Sequence, residues 1–288
     1  MKKLILACLS LSFVLNAKLV DTGSHDYCRQ ESRVFFEYPN DDPRLFLLSS
    51  QTSGSHFLMY IIQYFTHQVW QSSHKKYAFF NQCRDDEKNF YRAHQVEGTT
   101  LFNEPHGYYF PFEKEKDSLI FLIRSLKELV YKSNAEAINK AVNSASPYER
   151  LKTIFLRYKL PLHQCNGSYI DQYFKNINLY RSWPEKRRVL VRFSDLMKNN
   201  LEPVIRSIDS IHPIYNLEKL TIFDKNLKAH RNRCVKLTRA LNWTPCRSVI
   251  NYDYKETETY KKYSELLDQI IEEFYPEHFD FLVEENLL

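Results

Sequence analysis

Apolar and polar positions fall into blocks along this chain. Residues 45–48 (LFLL) form a short unbroken apolar run, the pattern of a strand buried on both faces. The run breaks into the small polar turn 49–55 (SSQTSGS), and a helical period follows, with Phe57, Leu58, Ile61, Ile62, Phe65 and Val69 on one face. Residues 118–123 (SLIFLI) are the clearest buried strand; it ends at Arg124 and passes into a helix through Leu126, Leu129 and Val130. Residues 188–193 (RVLVRF) predict another strand, with Ser194 or Asp195 capping the next helix through Leu201 and Ile205. A short apolar run at 77–80 predicts a further strand, while 81–117 is polar and rich in turns. Residues 134–183 read as helices broken near Pro147 and Pro161, and the chain from Leu217 onward as mainly helical around a polar break at 243–253. Buried strands alternating with helices predict an α/β fold, a parallel sheet with helices on both faces, with a helical C-terminal part. In such sheets ligands bind beyond the carboxyl ends of the strands.

Composition sharpens this picture in three places. With 43% hydrophobic and 26% charged residues over 288 positions, the chain has enough apolar content for a sizeable core. The net charge of +5 is too weak to argue for nucleic acid. There are only five glycines, so Gly54 in the 49–55 turn marks a place where backbone must come close to something.

The N-terminus reads as a targeting segment. Lys2 and Lys3 precede an apolar stretch over 4–15, and Ala17 suits a cleavage site. The stretch is short for a membrane span of about 20 residues. The division expected is a signal peptide at 1–17, an irregular segment at 18–43 and one domain over 44–288. Such a protein is secreted or enters a secretory lumen; the alternative is an uncleaved anchor over 4–20. Beyond the leader, Cys28, Cys83, Cys165, Cys234 and Cys246 make an odd count. Export permits disulfides, but sequence does not assign their pairing. No Cys or His spacing suggests zinc, so no metal is expected. Asn166 and Asn242 open glycosylation sequons.

Strand, small-residue turn and helix N-terminus together make a phosphate cradle, because backbone N–H groups and the helix dipole both favour an anion. The turn lacks the first Gly and the Lys of a Walker A loop, which disfavours an ATPase or GTPase. Arg124 at a strand end is placed to fork onto a phosphate. His94 is a candidate general base for a hydroxyl nucleophile, and His106 is its rival. Arg231, Arg233 and Lys236 form a basic stretch that a solvated helix face explains.

Four segments, in order, resemble the motifs of the PAPS-dependent sulfotransferase family. Residues 51–57 (QTSGSHF) are similar to its P-K-S-G-T-x-W/F loop, and Arg92-Ala93-His94 to its K-T-H. Residues 118–133 (SLIFLIRSLKELVYKS) resemble its strand–Arg–helix–Ser segment, and 189–196 (VLVRFSDL) its L-L-V-R-Y-E-D-L. The resemblance implies a fold similar to nucleotide kinases and transfer of a sulfuryl group from PAPS (3′-phosphoadenylyl sulfate) to a hydroxyl or amine acceptor. It implies that Thr52, Ser53, Gly54, Ser55 and His56 hold the 5′-phosphosulfate, Arg124 and Ser133 the 3′-phosphate, and His94 deprotonates the acceptor. Two positions depart from the pattern. Thr52 stands where the family has Lys or Arg, and Lys132 where it has the Ser, with Ser133 one residue later. The R-K-G-x-x-G-D-W signature of cytosolic small-molecule enzymes is absent, which points to glycan- or protein-directed branches. The alternatives are a non-catalytic module of this type that binds anionic ligands, and a nucleotide or sugar kinase of related fold.

Overall fold

A computed structural model describes residues 19–21, 34–36, 42–49, 54–72, 75–77, 89–93, 95–97, 100–103, 108–157, 169–214, 217–240 and 253–288. The strands are β1 (Leu19–Asp21), β2 (Val34–Phe36), β3 (Leu45–Ser49), β4 (Val69–Ser72), β5 (Lys75–Tyr77), β6 (Asn89–Ala93), β7 (Gln95–Glu97), β8 (Thr100–Asn103), β9 (Tyr108–Pro111), β10 (Ser118–Ile123) and β11 (Arg188–Arg192). The helices are α1 (Ser55–Thr66), α2 (Leu126–Val142), α3 (Pro147–Leu156), α4 (Tyr169–Ser182), α5 (Phe193–Leu196), α6 (Glu202–Ile211), α7 (Leu220–Lys225), α8 (Leu227–Ala240), α9 (Glu258–Phe274) and α10 (Pro276–Glu284).

The main sheet has the order β11-β10-β3-β6-β4-β5. Its first five strands run parallel, and β5 closes the edge antiparallel to β4. Alternation along the strands supplies two cores. Leu45, Leu47, Ile120, Leu122 and Val191 face α1, α6, α7 and α8. Phe46, Leu48, Leu119, Phe121 and Ile123 face α2, α3, α4, α9 and α10. The expected parallel sheet, covered on both faces and followed by a helical C-terminal part, is therefore present. At the amino ends of β3 and β10, Arg44 grips the fully buried Asp117 with two hydrogen bonds of 2.8 and 2.7 Å, which leaves the opposite ends for ligands.

Several boundaries differ from the sequence reading. The polar stretch at 81–117 contains β6 to β9, and β6 sits beside β3 in the middle of the main sheet. Its sequence NFYRA hides the strand, because a polar residue begins it and Arg92 interrupts the apolar pattern. The strand expected at 77–80 is instead β5, an edge strand ending at Tyr77; 78–80 lie outside the described residues. The segment at 18–43 includes β1 and β2, which join β9, β8 and β7 in a second sheet. Helix α1 stops at Thr66, with His67 in the left-handed conformation, so Val69 belongs to β4 and not to the helical face. Neither Ser194 nor Asp195 caps a helix; both lie inside α5, which starts directly at Phe193. Among the described residues, no helix is long and apolar enough to cross a membrane. The leader at 1–17 lies outside them.

Candidate functional site

The site gathers at the carboxyl ends of β3, β6, β10 and β11. Gly54 is the N-cap of α1 and has φ 82° and ψ 21°, a left-handed conformation that favours glycine. Its carbonyl accepts the first helical hydrogen bonds, from the Phe57 and Leu58 amides at 3.0 and 3.3 Å. A Cβ at this position would meet Phe193 Cε2 at 2.8 Å and Cδ2 at 3.0 Å. Missing side chain and positive φ together let Gly54 pack directly against Phe193, the first residue of α5. Thr52 and Ser53 lie outside the described residues; Ser55 is buried in the first turn of α1, and His56 is half-buried beside it.

Phe193 is the hinge of the arrangement. One side of its ring carries Gly54, and the Arg124 guanidinium lies 4.3 Å from its centroid. Arg124 follows β10 and is buried. Its Nε donates to Glu128 Oε2 at 2.9 Å, four residues along into α2. Tyr173 from α4 donates to the Arg124 carbonyl at 2.9 Å and fixes the backbone there. Lys255 Nζ donates to the other Glu128 oxygen. Burial pushes the Glu128 carboxyl up, but Lys255 and Arg124 together outweigh it and hold the group below its ordinary value. Two cations sharing one carboxylate leave this corner with a net positive charge, which suits a phosphate.

The structure separates the two residues that compete for the end of this segment. Lys132 is four residues beyond Glu128 on the same face of α2, half-buried, with Nζ 5.5 Å from the Tyr254 ring centroid. Ser133 is exposed, one position further round the helix, and precedes the non-helical Asn134 (φ −136°). Arg124, Glu128 and Lys132 are thus brought together, and Ser133 is not on their face.

His94 lies outside the described residues, but the strand that delivers it does not. β6 runs parallel to β3 and ends at Ala93, in register with Leu48. Arg92 pairs in register with Leu47 and shares the α1 face with Phe90. Burial pushes its guanidinium down to about 10. Arg92 Nη1 lies 3.4 Å from His56 Nε2. A guanidinium only donates, so Nε2 is the acceptor and that contact is made by the neutral imidazole. A half-buried cation therefore sits beside the first turn of α1. Period-two alternation in NFYRA carries this signal, once 89–93 is read as a strand.

Arg231 does not belong to the solvated face expected from the sequence. It is half-buried, and Nη2 donates to the Leu196 and Lys198 carbonyls at 2.9 and 2.7 Å. It ties α8 to the turn after α5, while Arg233 and Lys236 are exposed. Cys234 is fully buried and disulfide-bonded, and its Sγ lies 3.8 Å from the His56 carbonyl oxygen. His106 lies outside the described residues, and no group of His, Cys, Asp and Glu among them is placed to hold a metal ion.

No protein-family model matches the sequence, and no curated protein is similar to it at the sequence level. Solved structures do match in fold. Mouse sulfotransferase SULT7A1, complexed with PAP, aligns with a TM-score of 0.50 over 86% of this chain and 90% of its own, at 12% identity. Retinol dehydratase in complex with androsterone and the inactive cofactor PAP aligns at 0.45 over 90% of each chain, at 11% identity. The likeness to the mouse enzyme establishes the class: this chain has the sulfotransferase fold, a P-loop-like parallel sheet with a helical C-terminal part.

Proposed function

We propose that the protein is a sulfotransferase that moves a sulfuryl group from PAPS to a hydroxyl or amine acceptor. The observation that carries this reading is the stack Gly54–Phe193–Arg124, which couples a glycine cradle at a helix N-terminus to a buried guanidinium one ring away. The cradle fits a phosphate because a left-handed glycine opens α1 and the backbone N–H groups of the first helical turn have no intrahelical acceptor. The sulfotransferase fold supports the same reading.

When bound, PAPS supplies the sulfuryl group and leaves as PAP. Thr52, Ser53, Gly54, Ser55 and His56 form the cradle for the 5′-phosphosulfate. Arg92 and the α1 N-terminus would favour the negative charge left on the departing PAP. Arg124 takes the 3′-phosphate, with Lys132 as the second group in place of Ser133. His94 removes the acceptor proton as the new oxygen–sulfur or nitrogen–sulfur bond forms. The chain mainly positions and neutralises charge, as in phosphoryl transfer. We further propose that the protein acts outside the cytosol through its N-terminal leader. A buried disulfide at Cys234 supports this, because structural disulfides persist in oxidising compartments.

Labelled sulfate transfer from PAPS, together with thermal stabilisation by PAP, tests the proposal. PAP is expected to stabilise both wild type and His94→Ala, and the substitution to lower transfer roughly 10²–10⁴-fold. If PAP stabilises neither protein, the donor assignment is wrong. The second reading, a non-catalytic module, is favoured by one observation, the missing basic residue at Thr52. It predicts PAP binding without turnover, and turnover gained in Thr52→Lys.

A further inference from the structure

The solvent face of α8 carries a row of cations that the reaction above does not use. The helix sequence LKAHRNRCVKLTRA contains no carboxylate. Leu227, Cys234 and Thr238 define its buried side. At about 100° per residue, Lys228, Arg233, Lys236 and Arg239 fall within an arc of roughly 140° on the other side, and all four are exposed. Lys225, exposed at the end of α7, extends the row. Arg233, Lys236 and Arg239 follow one another at i, i+3 spacing, where like charges repel and weaken a helix.

The row leads to the site. Tyr60 meets His230 at 2.9 Å, and the carbonyl of His56 lies against Cys234. Four residues back along α1 thus correspond to four residues forward along α8, so the two helices run antiparallel. Arg239, five residues beyond Cys234, lies past the level of His56 at the end of α8 nearer the start of α1. Lys236 and Arg239 therefore stand nearest the cradle, and Lys228 about 16 Å away from Arg239 along the helix.

We infer that this face of α8 docks an acidic glycan, a chain carrying carboxylate or sulfate groups at intervals, and feeds its hydroxyl or amine groups to the site. This rests on the sulfotransferase reading and names its acceptor class. The complementary charge is the first argument. The second is what the stripe lacks: between the cations it presents Ala229, Asn232 and Ala240, with no aromatic ring for a nucleic-acid base to stack on.

The test is binding of heparin at about 0.15 M salt, compared with single-stranded DNA and polyglutamate, using wild type and the variant Lys228→Gln/Arg233→Gln/Lys236→Gln/Arg239→Gln. Heparin is expected to bind wild type most tightly, and the variant roughly tenfold or more weakly, with PAP stabilisation and melting temperature unchanged. The smaller variant Lys236→Gln/Arg239→Gln is expected to move in the same direction and serves if the larger one folds poorly. Undiminished heparin binding in both variants would overturn the inference, and so would DNA or polyglutamate binding as tightly as heparin. If the stripe variants lose heparin while PAP binds no form of the protein, the docking face stands and the donor assignment falls.

Discussion

Gly54 is the residue whose identity the site constrains most directly. Two independent demands meet there: a left-handed backbone at φ 82°, and a Phe193 ring 2.8 Å from where a Cβ would stand. Gly54→Ala is expected to destabilise the fold by about 2–4 kcal/mol, part from the left-handed strain and part from displacing the ring. Displacing Phe193 also moves Arg124, whose guanidinium lies 4.3 Å from the ring centroid. PAP affinity should therefore fall by more than stability alone explains. Chemical denaturation and PAP titration on the same samples separate the two effects. PAP affinity unchanged in a folded Gly54→Ala protein would show that the stack does not form the phosphate site.

At the scale of elements, one carboxylate joins three of them. Glu128 on α2 holds Arg124 at the end of β10 and Lys255 ahead of α9. Its depressed carboxyl value fixes the sign of the pH effect. The stability it contributes is present above the unfolded value near 4.5, and is lost as pH falls through the lower folded value. Glu128→Gln should cost about 2–4 kcal/mol near neutral pH, because it leaves two cations facing each other around a neutral amide. The difference from wild type should shrink in urea titrations carried down toward pH 3. A constant difference would mean that the charge of Glu128 is not what binds these elements. His230 gives a second, opposite-facing case on α8. It stacks on Phe223 with centroids 4.1 Å apart, and its Nδ1 shares a hydrogen bond with the Tyr60 hydroxyl at 2.9 Å. Burial, then the charge of Arg233, pushes the imidazole below its ordinary 6.5. The unfolded chain thus takes up a proton that the native chain refuses, so stability falls as pH drops below about 6.5. His230→Asn, which keeps an acceptor for Tyr60, should flatten part of that slope between pH 7.5 and 5.5.

These same elements show what a linear reading of the chain captures. β3 and β10 are legible because each is an apolar run buried on both faces, β11 because of its Val-Leu-Val centre, and Arg124 is legible as the residue that follows β10. β6 is not, because its burial is interrupted by Arg92, a residue placed for the site and not for the core. Glu128 and Lys255 are separated by 127 positions, and no local pattern announces that they meet. Lys132 and Ser133 are adjacent letters; only the helical face decides that Lys132 joins Glu128.

Across the whole molecule, α8 ties the core behind α1 to the rim of the site, and the disulfide at Cys234 holds it there. The sulfur is fully buried, 3.8 Å from the carbonyl of the second residue of α1. Its partner cysteine lies outside the described residues, and attack at the Cys234 sulfur itself needs the structure to open, since thiol exchange requires direct access to the sulfur attacked. Reduction should therefore be slow under native conditions and follow opening of the structure, with a rate that rises with denaturant well below the unfolding midpoint. Once reduced, or in Cys234→Ser, the chain should lose about 2–4 kcal/mol and melt roughly 5–10 °C lower. The loss should be felt at the cradle as well, because α8 bears on the backbone of His56 and, through Arg231, on the Leu196 and Lys198 carbonyls next to Phe193. PAP affinity is then expected to drop in Cys234→Ser even at temperatures where the protein is fully folded. Calorimetry of the free protein and PAP titration at 20 °C measure the two consequences separately. A lowered melting temperature with intact PAP affinity would confine the disulfide to stability; a drop in both would make α8 the element through which the oxidation state of the chain reaches the site.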